Sequence, residues 1–215
     1  MPDEIAEYYR ILDKDVTIIH ARWNTYLQLF ESGPKRIQLL EKIASTFFVD
    51  VYLLMRDDIV LSLSRLTDPA TSFGHDNLSL QRLIETTEQH DISDLTEILN
   101  SRMETIQNRC AAFRKHRNKR VAHPDLQNRV DPNIHPLPKI TKDTIEAAFE
   151  CIRDFMNDIK LYFDDSSTMY DFVVTEHDGE ALVQHLKEAV AAREFKLNSS
   201  IYVWKFFEEN EFHDA

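Results

Sequence analysis

Apolar residues recur every three or four positions along most of the chain, which is the spacing of helices that bury one face. A short extended run is predicted at Asp171–Thr175. The pattern predicts an all-α fold, an up-and-down helical bundle of four to five long helices with a short C-terminal extension. The predicted helices lie at about residues 3–31, 35–66, 78–89, 92–122, 145–163 and 180–190.

Short polar residues at the predicted helix starts indicate how the helices begin. Asp3, Asn77 and Asp91 are expected to cap the first, third and fourth helices, because their side chains can accept hydrogen bonds from free backbone N–H groups. Thr141 or Asp143 is expected to cap the next helix in the same way.

The chain has only three glycines, Gly33, Gly74 and Gly179, and each falls at a predicted break. So few glycines disfavour a turn-rich β fold and a glycine-rich phosphate loop. We assign residues 1–165 to the bundle and residues 166–215 to a C-terminal helix and aromatic tail, within a single domain overall. The tail packs either on the bundle or against a second subunit, and the sequence leaves both open.

The helix at about 92–122 carries an apolar stripe that runs into a charged residue. The stripe consists of Ile92, Leu95, Leu99, Met103, Ile106, Cys110 and Phe113. Its next step falls on Arg117, and an unpaired buried charge costs several kcal/mol, so this guanidinium needs acceptors or a water-filled cleft. Asp57 and Asp58 of the second helix are the predicted ion-pair partners. These carboxylates could instead be metal ligands or general bases, or lie on a solvated face.

Five of the 25 Lys and Arg residues lie within residues 114–120, although the chain has a net charge of -12. Subtracting these five charges from -12 leaves -17 on the rest of the chain. A local basic cluster on an acidic body favours a phosphate-bearing ligand over a protein that coats nucleic acid with a whole face. Cations in a last helical turn also stabilise the helix dipole, which accounts well for Lys119 and Arg120 but poorly for Arg117.

The helix is expected to end near Ala122, because a residue before proline is pushed out of the helical region and His123 precedes Pro124. An uninterrupted helix would place Arg117 and His123 roughly 120° apart around its axis. The break, or a second copy of the chain, is therefore needed to bring these two side chains together.

Arg117, Asn118 and His123 have the spacing Arg-Asn-x-x-x-x-His. This spacing resembles the signature of the HEPN superfamily (higher eukaryotes and prokaryotes nucleotide-binding), an Arg, usually followed by a polar residue, with a His four to six residues after the Arg. The resemblance covers about residues 5–190. It is most similar to the abortive-infection branch in two segments, Leu63-Ser64-Arg65-Leu66-Thr67-Asp68-Pro69 and Arg117-Asn118-Lys119-Arg120-Val121-Ala122-His123-Pro124-Asp125.

The resemblance implies a helical bundle that forms a homodimer, with two copies of the motif facing each other across a cleft. Many members are metal-independent endoribonucleases that act as toxins or antiviral effectors, and others only bind nucleotides or protein partners. Some toxin members carry a Tyr two residues after the His, where this chain has Asp125. This difference argues against a toxin controlled by adenylylation.

The expected chemistry is cleavage of RNA through its 2′-hydroxyl. His123 would exchange the proton, and Arg117 would bind two phosphoryl oxygens of the transition state. Asn118 would orient the His or the phosphate. Four further cations are expected to bind flanking phosphates of RNA, namely Arg114, Lys115, Lys119 and Arg120. No metal or cofactor is expected, since none of the nine His residues belongs to a convincing ligand set.

Two other functions remain open on the sequence, a non-catalytic nucleotide-binding or protein-interaction module and a purely structural helical protein. The acidic charge slightly favours the binding module, because RNA must approach a negative body. Expected partners are RNA or a nucleotide, a second copy of the chain and a cognate antitoxin. With no signal pattern, no stretch of 18 apolar residues and two cysteines that look like reduced core thiols, we expect a cytoplasmic protein without a membrane segment.

Overall fold

A computed structural model describes residues 1–72, 74–121, 130, 136–172 and 176–209 of the chain, with side chains described as far as residue 197. Its helices are α1 (Asp3–Phe30), α2 (Pro34–Leu66), α3 (Leu80–Gln89), α4 (Ser93–His116), α5 (Lys142–Asp164) and α6 (Gly179–Glu209). A two-stranded antiparallel hairpin, β1 (Thr71–Ser72) and β2 (His75–Asp76), joins α2 to α3. The all-α prediction is confirmed.

Of the four predicted helix caps one is confirmed and two are wrong, and Asp3 is the first residue of α1 itself. Thr141 caps α5 by accepting a hydrogen bond from the Thr144 backbone N–H at 3.3 Å. Asn77 does not cap α3, because its amide instead donates to the Pro69 carbonyl and to Ser72 Oγ, both at 2.8 Å, and so fastens the hairpin. Asp91 does not cap α4 either, since it has a left-handed backbone with φ of 57° in the turn before that helix.

Two predicted breaks are confirmed, and α2 has a further kink that was not predicted. Gly33 follows α1 with φ of 102°, a conformation that glycine adopts without steric cost. Gly179 begins α6, where a Cβ atom would lie 2.9 Å from Gln28 Oε1. Within α2, Ala44 has non-helical angles, φ of -159° and ψ of 70°, so the second helix is kinked.

The chain divides into two compact units, the first made of residues 1–24 and 52–174 and the second of residues 25–51 and 175–215. In the first unit α4 packs against α3 and α5. The predicted stripe of α4 is its buried face, comprising Leu95, Leu99, Met103, Ile106, Cys110 and Phe113. Because Phe113 is completely buried one turn before Arg117, this packing fixes the end of the helix that carries the motif.

A buried polar cluster lies between α1 and α5 of the first unit. The His20 ring lies 4.3 Å from that of Phe149, and its Nδ1 donates a hydrogen bond to the Val16 carbonyl at 2.8 Å. Burial lowers the pKa of His20 to about 4, so the imidazole is neutral near pH 7. Beside it Tyr170 donates a hydrogen bond to Asp13, and burial raises the pKa of this phenol.

The second unit is held by contacts between the start of α6 and the helices before it. Arg36 pairs with Glu180 through hydrogen bonds of 2.6 and 3.0 Å, and Gln28 donates to Asp178 at 2.7 Å. The backbone of α6 continues through residues 201–209, which belong to the predicted aromatic tail. The side chains of that segment lie outside the described residues, so the surface they cover stays a prediction. Among the described helices, none is long and apolar enough to cross a bilayer.

Candidate functional site

The predicted motif lies where α4 changes its helical form. A π-helical turn, Arg117–Val121, continues α4 after His116. Such turns insert an extra residue into an α-helix and are frequent at functional sites. The extra residue shifts the faces on which Asn118 and the following side chains lie, relative to the stripe of α4.

Arg117 is held by an aspartate that follows α2. Its Nη1 donates to both carboxylate oxygens of Asp68, at 2.7 and 2.8 Å, and the two side chains are only 20% and 23% exposed. Its Nε donates to Asn118 Oδ1 at 3.2 Å. None of the described residues accepts a hydrogen bond from Nη2.

The predicted ion-pair partners of Arg117 were therefore wrong. Asp58 pairs with Arg22 of α1 at 2.8 Å, and both side chains are substantially exposed, whereas Asp57 lines a pocket. Asp57 and Asp58 precede Asp68 by ten or eleven residues, about 15 Å along a helix. Arg117 reaches the carboxylate that follows the end of α2 because that end lies against the motif turn.

Arg114, which was predicted to bind phosphate, donates hydrogen bonds to other residues of the protein. Its Nη1 donates to the hydroxyl of Thr67 at 3.0 Å, and its Nη2 donates to the Gln107 carbonyl at 2.8 Å. Thr67 is only 5% exposed. Arg114 therefore joins α4 to the end of α2, next to the Asp68–Arg117 pair.

The other predicted site residues differ in exposure. Lys115 and Arg120 are exposed, and Lys119 is half-buried. Asn118 is exposed and contacts Arg117. His123, Pro124 and Asp125 lie outside the described residues.

A pocket of about 330 Å³ opens beside the motif turn. His116 forms one side, and the Pro138 carbonyl accepts a hydrogen bond from its Nε2 at 2.6 Å, which joins the segment before α5 to α4. The pocket is lined by Arg56, Asp57 and Val60 of α2, by His116, Arg120 and Val121, and by Leu137, Pro138, Lys139, Ile140 and Thr141.

The described part of the chain holds no group of three or more His, Cys, Asp or Glu side chains positioned to bind a metal ion. The thiol of Cys110 is buried in the core, and burial raises its pKa to about 12. Burial also raises the pKa of Cys151. Both cysteines are therefore protonated thiols at neutral pH, which is unfavourable for nucleophilic or metal-binding roles.

A protein-family model described as HEPN_AbiU2: AbiU2 matches residues 2–183. The chain belongs to this family. The expected resemblance to the abortive-infection branch of the HEPN superfamily is thereby confirmed, and the match includes α1 to α5, the motif turn and Asp68. Searches of curated proteins and of solved structures found no match to the chain.

Three residues beside the motif of this AbiU2-family chain were not predicted from the sequence as site residues. Asp68 belongs to the upstream segment that supported the HEPN resemblance, and its position beside Arg117 gives that segment a physical role. Arg56 and Lys139 reach one pocket from distant parts of the sequence. No local pattern could have connected them with Arg120.

Proposed function

We propose that this AbiU2-family protein is a metal-independent endoribonuclease of the toxin or antiviral-defence type. Its composite site would form in a homodimer, where two copies of Arg117, Asn118 and His123 meet. The observation that carries the proposal is the geometry of Arg117, whose Nη1 and Nε are held by Asp68 and Asn118 while Nη2 points to no described acceptor. A guanidinium fixed in this way is preorganised to bind an oxygen of a phosphate.

In the proposed reaction the 2′-oxygen of the RNA attacks the adjacent phosphorus atom. The imidazole of His123 takes the proton of the 2′-hydroxyl, and the P–O bond to the 5′-oxygen breaks. The partner's copy of the same histidine protonates that leaving oxygen, so the products are a 2′,3′-cyclic phosphate and a 5′-hydroxyl. Nη2 of Arg117 donates to a phosphoryl oxygen whose negative charge grows in the transition state.

Electrostatics restrict where RNA can approach. The body of the protein is acidic, so phosphates are attracted only near the local basic cluster. Lys115 and Arg120 are exposed there and can bind backbone phosphates without reading bases. We expect binding that weakens as salt concentration rises, because bound phosphates release counterions.

The proposal is tested with a labelled structured RNA incubated with purified protein in excess EDTA. His123→Ala removes the proton-transfer group, and Arg117→Lys keeps a cation beside Asp68 while removing the planar fork. We expect wild type to cleave and both variants to lose at least roughly a hundredfold in rate. General acid–base catalysis typically contributes about 10²- to 10⁴-fold, and one donor to the transition-state charge about 10²- to 10³-fold. Equal cleavage by wild type and His123→Ala would identify a contaminating nuclease and refute the proposal.

A non-catalytic nucleotide-binding module is the second candidate, and the pocket of about 330 Å³ beside the motif favours it. This candidate predicts folded, dimeric wild-type protein that binds nucleotides and cleaves no RNA. Sedimentation measures the oligomeric state. Both candidates predict a homodimer, whereas a purely structural helical protein would sediment as a monomer. The toxin interpretation also implies a cognate antitoxin, which should suppress cleavage when it is added.

A further inference from the structure

The pocket beside the motif turn combines positive charge with apolar walls. Arg56 on α2, Arg120 on the motif turn and Lys139 before α5 contribute three cations, and Asp57 contributes the one carboxylate among the described residues of the lining. The described residues include no hydrogen-bond or ion-pair partner for any of these three cations. Three cations without a described counter-ion give the pocket a positive potential, so the lining points to an anionic ligand.

The walls and the size of the pocket indicate that the ligand is larger than a simple anion. Val60 is almost completely buried, and Val121, Leu137 and Ile140 add half-buried apolar surface. A volume of about 330 Å³ lies at the lower end of the range for small-molecule sites, roughly 300–1,000 Å³. Bare phosphate would leave the apolar walls uncovered, whereas a nucleotide offers a base for these walls and a phosphate for the cations.

The carboxylate of Asp57 adds a second feature of recognition. Among the described residues it reduces the formal charge of the lining from three to two positive charges, which matches the dianion of a phosphomonoester. A carboxylate also accepts hydrogen bonds, and a ribose or an exocyclic amino group can donate them. A nucleotide unit satisfies both the cations and this acceptor.

We propose that this pocket binds one nucleotide unit, with its phosphate on Arg56, Arg120 and Lys139 and its base against the apolar wall. The unit belongs to a single-stranded RNA or is a free mononucleotide, which share the same chemistry. Because Arg120 is three residues after Arg117, a nucleotide held here lies next to the site of the proposed cleavage. This inference deepens the proposed function but does not require cleavage.

The test measures binding of AMP, adenosine and inorganic phosphate by calorimetry. The variants are Arg56→Gln and Lys139→Gln, and Arg10→Gln is the charge-matched control, since Arg10 is exposed on α1 and does not line the pocket. We expect each pocket variant to weaken AMP binding roughly tenfold, the loss typical of a charge-assisted hydrogen bond, and Arg10→Gln to leave it unchanged. AMP should also bind more tightly than adenosine and than phosphate.

Equal AMP affinity in all three variants, or phosphate binding as tight as AMP binding, would overturn the inference. A 2′-O-methyl oligonucleotide, which cannot undergo attack by its 2′-oxygen, distinguishes the two sources of the ligand. Competition between this strand and AMP identifies an RNA nucleotide as the ligand. AMP binding that the strand does not displace identifies a free mononucleotide, and both results support the proposed chemistry.

Cleavage of the structured RNA by the same variants separates this inference from the proposed function. AMP binding that depends on Arg56 and Lys139, in a protein that cleaves no RNA, would support the pocket and contradict the nuclease. Cleavage with an unchanged KM in Arg56→Gln and Lys139→Gln, together with unchanged AMP affinity, would support the nuclease and overturn the pocket.

Discussion

Replacing Asp68 by Asn tests whether the ion pair with Arg117 holds the motif turn in place. Asn has nearly the same shape as Asp but carries no charge, so the guanidinium loses its counterion without a change in packing volume. Asp68 accepts two hydrogen bonds from Arg117 Nη1, of 2.7 and 2.8 Å, and the amide of Asn keeps one acceptor oxygen, so the variant loses the negative charge and one of these two hydrogen bonds.

The expected loss of stability follows from the burial of the pair. Exposed ion pairs contribute about 0–1 kcal/mol, and removing one partner of a fully buried pair costs about 3–5 kcal/mol. The Asp68 and Arg117 side chains are 23% and 20% exposed, so the pair lies between these limits. We expect Asp68→Asn to lower the free energy of unfolding by about 2 kcal/mol, which corresponds to a fall in Tm of roughly 4–8 °C for a chain of this size.

Asp58→Asn is the matched control, because it makes the same chemical change in an ion pair that is much more exposed. The side chains of Arg22 and Asp58 are 51% and 41% exposed, so this variant should stay within about 1 kcal/mol of wild type. Thermal and urea unfolding followed by circular dichroism at 222 nm measure both variants. Equal stability of Asp68→Asn and Asp58→Asn would refute the claim that the partly buried pair fixes the motif turn.

Two further predictions concern the scaffold. The folded-state pKa of His20, lowered to about 4 by burial, lies below its unfolded value of 6.5, so the unfolded chain takes up a proton first as the pH falls. The free energy of unfolding should therefore decrease by roughly 3 kcal/mol as the pH falls from 6.5 to 4. Urea titrations at each pH should show a smaller decrease in His20→Phe. Identical pH profiles of the two proteins would contradict the attribution of this decrease to His20. Thr141→Ala removes the side-chain cap of α5 and should cost about 1 kcal/mol in the same measurement, while the exposed Lys142→Ala, one residue later, should cost less.

The helices and the inward position of Arg117 could be predicted from the sequence because both depend on local periodicity. The apolar stripe of α4 determines which face is buried. Arg117 continues that face because of its spacing from Phe113, independently of the rest of the sequence. The partner of Arg117 depends instead on where α2 ends against α4. Asp57, Asp58 and Asp68 are equivalent acids on the sequence, and only the packing of the two helices selects Asp68.

The sequence patterns did not predict the short backbone features, namely the hairpin, the kink in α2 and the π-helical turn. Strands of two residues are too brief to show an alternation, so Asn77 was assigned to a helix cap although it fastens the hairpin. Ala44 is a good helix former, and no Pro or Gly marks the kink at that position. The π-helical turn at Arg117–Val121 likewise follows an ordinary helical sequence, since its extra residue is a feature of hydrogen bonding rather than of composition.

Charge pairing changes which residues can attract an anion to this site. Arg117 is compensated by Asp68, and Arg114 is occupied by Thr67 and Gln107, so neither contributes its full charge to the approach of a phosphate. That attraction therefore depends more on the cations that reach the pocket from separate segments, Arg56, Arg120 and Lys139. In the proposed reaction Arg117 would then act as a positioned donor to a phosphate that the pocket cations already hold. This division of roles would allow the guanidinium to be paired with an acid in an otherwise acidic protein.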